Sequence, residues 1–380
     1  MNVLLSPWWV LLRFWTAPIR AESLAAFRIA LAATILAAQF TGLGWQLELC
    51  CTGDDPLIPG STRDEWLARS GRICLLRGPV SLPLLGEWLP DRIFGEHFKQ
   101  TRRALENWCP PHWAAAWRDW GEQPDNIQLL FRVYLVSLVM VLIGFRTRLM
   151  TLVALLLAAT FNNRLVELLN GGDSLFRLGL YFLLLSPAGA TWSVDAWLRA
   201  RGKRPALPQP LTRPRWIEPW SVRLMQIQLA LMYLFTGLTK LADARPDAQW
   251  GWWRPRGDWL DGNALYWVLN DVALTRWSFA QFPVPLFACK LLTWATLFFE
   301  IFFPLLVLFG WTRGVTLLFG VALHLGILFT MEIGWFSQVT LCWYLLFVRG
   351  EQLSAALDWL RGHRSVSLDL NQTQAGEQGG

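Results

Sequence analysis

Ionisable side chains are costly to carry into a bilayer, so each one found in an apolar stretch of sequence is a candidate for chemistry. The sharpest case is VRLMQIQLALMYLFTGLTKLADA, where Gln226, Tyr233, Gly237 and Lys240 interrupt an apolar run. On a helix these four fall within a stripe of about 60°. A stripe of that kind faces the interior of a bundle, and Gly237 lets a second helix or a ligand come close. An amine desolvated there is a base near neutral pH, which makes Lys240 a catalytic candidate. The plainer alternative is a lysine at a helix end whose long stem carries its charge to the headgroups. His324 is a second catalytic candidate, against the commoner role of a hydrogen-bonded histidine inside a bundle. Asn162, Asn163, Arg164, Asp173, Arg177, Tyr233 and Lys290 are candidates for substrate binding. Asp173 has the alternative role of capping a helix that follows the NGGD turn. Glu300 and Arg28 are expected deeper in the chain's apolar segments, as structural polar contacts. The tryptophans Trp250, Trp252, Trp253, Trp259 and Trp267 suit either the lining of an amphipathic site or an interfacial belt.

The elements that must position these groups are membrane spans. Hydrophobic residues make up 54% of the 380 and charged residues 16%, against roughly 25% charged in a soluble domain. Apolar runs approach the length of about 20 residues that a helical span requires. Eight are expected, at about Ser23–Leu47, Ile127–Ile143, Met150–Leu169, Leu175–Pro187, Val222–Leu241, Leu286–Phe309, Val315–Met331 and Phe336–Val348. The expected fold is therefore an all-α polytopic transmembrane bundle of about eight spans, with two long non-cytoplasmic loops. Residues 1–22, rich in Trp and Phe, read as an interfacial helix. Residues 23–348 form the membrane domain, with 48–126 as a non-cytoplasmic insertion, and 349–380 form a cytoplasmic tail.

Arginines and lysines gather in alternate connections: 146–148, 199–215, 313 and 349–364. The short turns at 170–174 and 332–335 hold acids and no Lys or Arg. Positive residues favour the cytoplasm, so both termini are expected there, in a cell membrane. The polar layer formed by Asn162, Asp173, Lys240, Lys290 and His324 then lies toward the outer side. The net charge of +6 comes with no nucleic-acid-binding motif, so no nucleic acid is expected as partner. Cys50, Cys51, Cys74 and Cys109 share the outer insertion, where disulfides are permitted but their pairing is open. The Cys109-Pro-Pro-His112 stretch lacks a ligand set, and no metal is expected.

FNNRLVELLNGGDSLFRLGLYFLLLSPAGATWSVDAW resembles the central signature of the HTTM (horizontally transferred transmembrane) superfamily. LALMYLFTGLTKLADA followed by DWLDGNALYWVL is similar to its second signature, Y-x-x-x-G-x-x-K and then W-x-x-G-x-A-L-Y. HLGILFTMEIGWFSQVTLCWYLLF resembles its last pair of spans, and AAFRIALAATILAA its opening helix. The superfamily includes vitamin K-dependent γ-glutamyl carboxylases, whose base is a membrane-edge lysine that deprotonates a reduced quinone. The resemblance places Lys240 at that position and adds Trp259 and Gly262 to the substrate-binding candidates. Three departures speak against a carboxylase. Asn162-Asn163-Arg164 stands where the carboxylase pattern has N-N-H, and the stretch between Lys240 and Trp259 is expanded. No segment after Val348 is expected to form the large domain that holds a protein substrate. Two functions follow as expectations. One is an enzyme using Lys240 as base on a quinol or similar amphipathic substrate, with a reduced quinone as the cofactor-like partner. The other is a non-enzymatic maturation, secretion or immunity factor for an exported peptide, as implied by some bacterial members.

Overall fold

The computed structural model describes residues 7–43, 120, 123–164, 170–201, 215–241 and 258–360. The four cysteines of the insertion, His112, most of the tryptophan-rich stretch after Lys240 and the last twenty residues lie outside them. The described residues are mostly helical. A short helix α1 (Pro7–Thr16) precedes α2 (Glu22–Ala38), which runs into a π-helical turn at Gln39–Leu43. Helices α3 (Pro124–Ile143), α4 (Thr147–Arg164) and α5 (Gly171–Leu185) follow, then a short α6 (Val194–Arg201). The second half holds α7 (Trp220–Leu241), a short α8 (Ala264–Asn270), α9 (Leu286–Leu308) and α10 (Gly310–Thr330). It closes with α11 (Phe336–Tyr344), a 3-10 turn at Leu345–Phe347 and α12 (Gly350–Leu360).

Within the described residues, each of the eight expected apolar runs is largely helical. Among the described residues five helices, α2, α3, α7, α9 and α10, are long and apolar enough to cross a membrane. α4 and α11 are shorter apolar helices, and α5 has 15 residues. α2 is apolar on all sides and is the most enclosed of the long helices, packing against α3, α5, α11 and α12. Phe27 of α2 and Phe182 of α5 meet the fully buried ring of Trp343 edge-on, at 5.3 and 6.2 Å. α10, by contrast, turns Trp311, Val315, Leu318, Leu325 and Phe329 outward. In a soluble protein so large an apolar face would be a liability, whereas in a bilayer it meets lipid.

The helix ends are tied by polar contacts that the apolar pattern does not disclose. Arg28, wholly buried in α2, donates to the carbonyls of Val141 and Leu142 at the end of α3 and to Trp192. The carbonyls of a last helical turn lack an amide one turn ahead, although that of Val141 also accepts from the Gly144 amide at 3.1 Å, and a cation there complements the helix dipole. Gly144 ends α3 at φ 71°, and a Cβ at that position would strike both Arg28 and Ser193. Asp195, at the start of α6, accepts from the amides of Arg146 and Thr147 at 2.8 Å and from the Thr147 hydroxyl at 2.6 Å. It thus caps α4 from a different helix.

These contacts, with the two-residue pairing of β1 (Ile19–Arg20) and β2 (Trp216–Ile217), collect one arginine-rich end of the bundle. Nothing in the sequence marked 350–360 as an element of its own. It forms α12 and packs on α2 because Arg20 bridges Glu22 and Ser354, with Gly350 fitted against Arg20 and Glu22.

Candidate functional site

The stripe on α7 faces the bundle interior along its whole length. Gln226 donates to the Leu346 carbonyl at 2.7 Å, Tyr233 and Gly237 are buried, and Lys240 reaches across to α9. The absence of a side chain at Gly237 brings α7 against α9: a Cβ there would lie 3.0 Å from the Ile301 amide and 3.1 Å from Glu300. This approach sets up the central feature of the site. Lys240 Nζ lies 2.6 and 2.7 Å from the two carboxylate oxygens of Glu300. The lysine side chain is 21% exposed and the glutamate 9%. Lys240 is therefore not a solitary desolvated amine, as the sequence suggested, but half of an ion pair. Its partner is Glu300, expected only as a structural contact. Pro304 lies one turn beyond and has no amide hydrogen to offer the Glu300 carbonyl, which loosens α9 at the pair.

Trp259 covers the pair, its ring 4.2 Å from Lys240 Nζ. A cation over an indole face is attracted by the ring quadrupole. The turn that places this ring is anchored on α9. Trp294 donates to the Leu260 carbonyl at 2.9 Å, and the Thr293 hydroxyl accepts from the Leu265 amide at 3.2 Å. Gly262 adopts φ 78°, a left-handed conformation that suits glycine, and is buried against the stem of Lys290. Gly262 acts through the backbone, and Lys290 lies ten residues before Glu300, about 15 Å along the helix.

A second cluster sits two turns back along α7. The Tyr233 hydroxyl is 2.6 Å from His324 Nε2 and 2.5 Å from the Tyr344 hydroxyl, and His324 Nδ1 is 3.4 Å from the Ser337 hydroxyl. All four residues are buried. One consistent proton arrangement runs from Tyr344 to Tyr233 to His324 Nε2, with Nδ1–H turned to Ser337. Phe299, the neighbour of Glu300, packs on the Tyr233 ring at 5.3 Å. On its other side Phe299 lines an apolar groove of about 360 Å³ between α9 and α10, with Phe298, Trp311, Val315 and Phe319.

The remaining candidates stand apart from the pair. Asp173 closes a capping box at the start of α5: Asn170 accepts from the Gly172 amide at 2.7 Å, and Asp173 accepts from the Asn170 amide at 2.9 Å. That turn packs on the Gly334–Phe336 connection. Arg177 is buried one turn further on, and Asn162 is half-buried near the end of α4. The side chains of Asn163 and Arg164 lie outside the described residues.

Of the expected layer, the structure therefore joins Lys240 to Trp259, Tyr233 to His324, and Gly262 to Lys290. Sequence reasoning missed Tyr344 and Ser337 and undervalued Glu300. A signal existed for the last: Glu300 is the sole acid in a 23-residue apolar helix, which asks for a buried cation nearby.

A family model described as the HTTM domain matches residues 119–351, which takes in α3 to α11, the Lys240–Glu300 pair and the Tyr233–His324 cluster. No curated protein and no solved structure matches the chain significantly. With more than half of its length matched and with spans of the expected kind, the chain is an integral membrane protein belonging to the HTTM family.

Proposed function

We propose that the protein takes a proton from a lipid-soluble substrate at the Lys240–Glu300 pair, the substrate being a reduced quinone or a similar amphipathic diol. The observation that carries this reading is a two-oxygen ion pair between two spans, under an indole ring, with the lysine still partly accessible. The pair holds an acid and a base together. As a substrate hydroxyl reaches Lys240, the lysine passes one proton to Glu300 and receives one from the hydroxyl. Glu300 ends neutral, and the Lys240 ammonium balances the negative charge left on the substrate oxygen. Total charge within the site is unchanged, which keeps the step affordable where dielectric screening is weak.

Residues that fit an amphipathic ligand are present on both sides of the pair. Trp259 offers a flat ring to an aromatic head, and the groove beside Phe299 offers room for an apolar tail. In this reading the arginine-rich end faces the cytoplasm of a cell membrane, both termini with it, and the pair is approached from the outer side. The exposed Trp267, Val272, Trp277 and Phe282 of the 258–285 segment favour a second reading, an exported peptide as partner of a non-enzymatic maturation factor.

Mass spectrometry of lipids and peptides that copurify with wild type and with Lys240→Ala separates the two. A quinone held by wild type and lost from Lys240→Ala is the expected result. A secreted peptide held equally by both, with no quinone, would overturn the proton-transfer reading in favour of the peptide.

A further inference from the structure

At the arginine-rich end a cavity of about 330 Å³ opens between the α1–β1 segment, β2, the first turns of α7 and the α11–α12 junction. Its wall carries the guanidinium groups of Arg20, Arg223, Arg313 and Arg349 and one carboxylate, Glu351. Arg20 is already answered, by Glu22 at 2.5 Å and Glu351 at 3.9 Å. Among the described residues no carboxylate forms an ion pair with the other three.

Arg223 and Arg313 are held in place by groups other than an acid. Arg223 donates to Gln226 at 2.9 Å and lies over the Phe14 ring at 4.5 Å, and its buried Nε has no hydrogen-bond partner. Arg313 donates to the Val307 and Leu308 carbonyls that end α9. Arg349 is exposed at the mouth, beside the first turn of α12. Three positive charges around one small space, whose one carboxylate, Glu351, already pairs with Arg20, call for a counter-charge from outside the chain.

We infer that this cavity binds a phosphate group, with Arg223, Arg313 and Arg349 as its partners. Guanidinium donors suit phosphate oxygens, and the half-buried position strengthens the attraction. The opening lies at the ends of the spans, bordered by the exposed Trp216 ring, at the depth where phospholipid headgroups reside. The same chemistry is shared by an anionic lipid headgroup and by a free phosphate compound. The site is separate from the Lys240–Glu300 pair, and neither proposal depends on the other.

The test uses the full-length protein in detergent, as wild type, Arg349→Gln, Arg223→Gln/Arg349→Gln and a control, Arg146→Gln/Arg148→Gln. The control removes two exposed charges from the same end without touching the cavity. Retention of phosphatidylglycerol against phosphatidylcholine is read by native mass spectrometry, and the thermal midpoint is followed with each lipid and with inorganic phosphate. Wild type and control are expected to select phosphatidylglycerol, with affinity falling about fivefold for each cavity arginine lost. Stabilisation by the lipid alone identifies a headgroup site, whereas stabilisation by inorganic phosphate that is lost in the cavity variants identifies a soluble phosphate ligand. Equal lipid retention by all four proteins, with no effect of phosphate, would overturn the inference. Arg349→Gln alters only an exposed side chain, so its loss of selectivity cannot be attributed to misfolding.

Discussion

Lys240 and Glu300 show how a single contact changes the meaning of a residue. A lysine near a helix end can be a headgroup anchor or a base, and its own neighbours in sequence do not decide between them. The carboxylate that Lys240 meets lies 60 positions away. Removing one member leaves the other charge buried without compensation, a loss of about 3 kcal/mol. Lys240→Met and Glu300→Met are each expected to lower the thermal midpoint in detergent. The double variant recovers most of that loss, because two apolar side chains replace the pair. Quinone retention should remain lost in the double variant, which separates packing from binding. Single variants as stable as wild type would show that the pair contributes nothing to holding α7 on α9.

At the scale of elements, the helices are joined by caps supplied across the bundle. Asp195 is the clearest case, since it belongs to α6 and caps α4. Burial pushes its carboxyl group up, but hydrogen bonds from the Thr147 hydroxyl and the Thr147 and Arg146 amides, with Arg199 nearby, outweigh that and hold it below the ordinary carboxylate range. A carboxylate lowered on folding stabilises the protein above its unfolded value of about 3.9. The contribution disappears as the pH falls through the still lower folded value. Wild type should therefore lose stability over the most acidic part of a pH series, measured as the thermal midpoint between about pH 6 and pH 3. Asp195→Asn should be less stable at neutral pH and show a flatter acid limb. An identical acid limb in both proteins would mean that Asp195 is not the group responsible.

For the whole molecule, the two ends differ in charge. Arg20, Arg146, Arg148, Arg199, Arg223, Arg313 and Arg349 collect at one end, while the NGGD and Gly334–Phe336 turns pack together at the other. The positive-inside tendency then assigns an orientation. In intact cells, and with Cys50, Cys51, Cys74 and Cys109 changed to serine, a membrane-impermeant thiol reagent should label Asn270→Cys at the end of α8 and leave Leu360→Cys untouched until the membrane is opened. Both positions are exposed, so access is limited only by sidedness. The opposite pattern would invert the orientation and move the Lys240–Glu300 pair to the cytoplasmic side.

Composition, span-length apolar runs and ordered motifs are local properties, and they were enough to identify a helical membrane protein of the HTTM family. The sequence also placed the α7 stripe correctly toward the interior, since helical periodicity fixes which residues share a face. Tertiary structure decided what those residues meet. Glu300 answers Lys240, Tyr344 and Ser337 complete the Tyr233–His324 chain, Arg28 caps α3, and three arginines from separate elements surround one cavity. Each of these joins residues far apart in the chain. Close approach at Gly237 and the left-handed turn at Gly262 create the contacts around the pair, and helix packing rather than local pattern sets them.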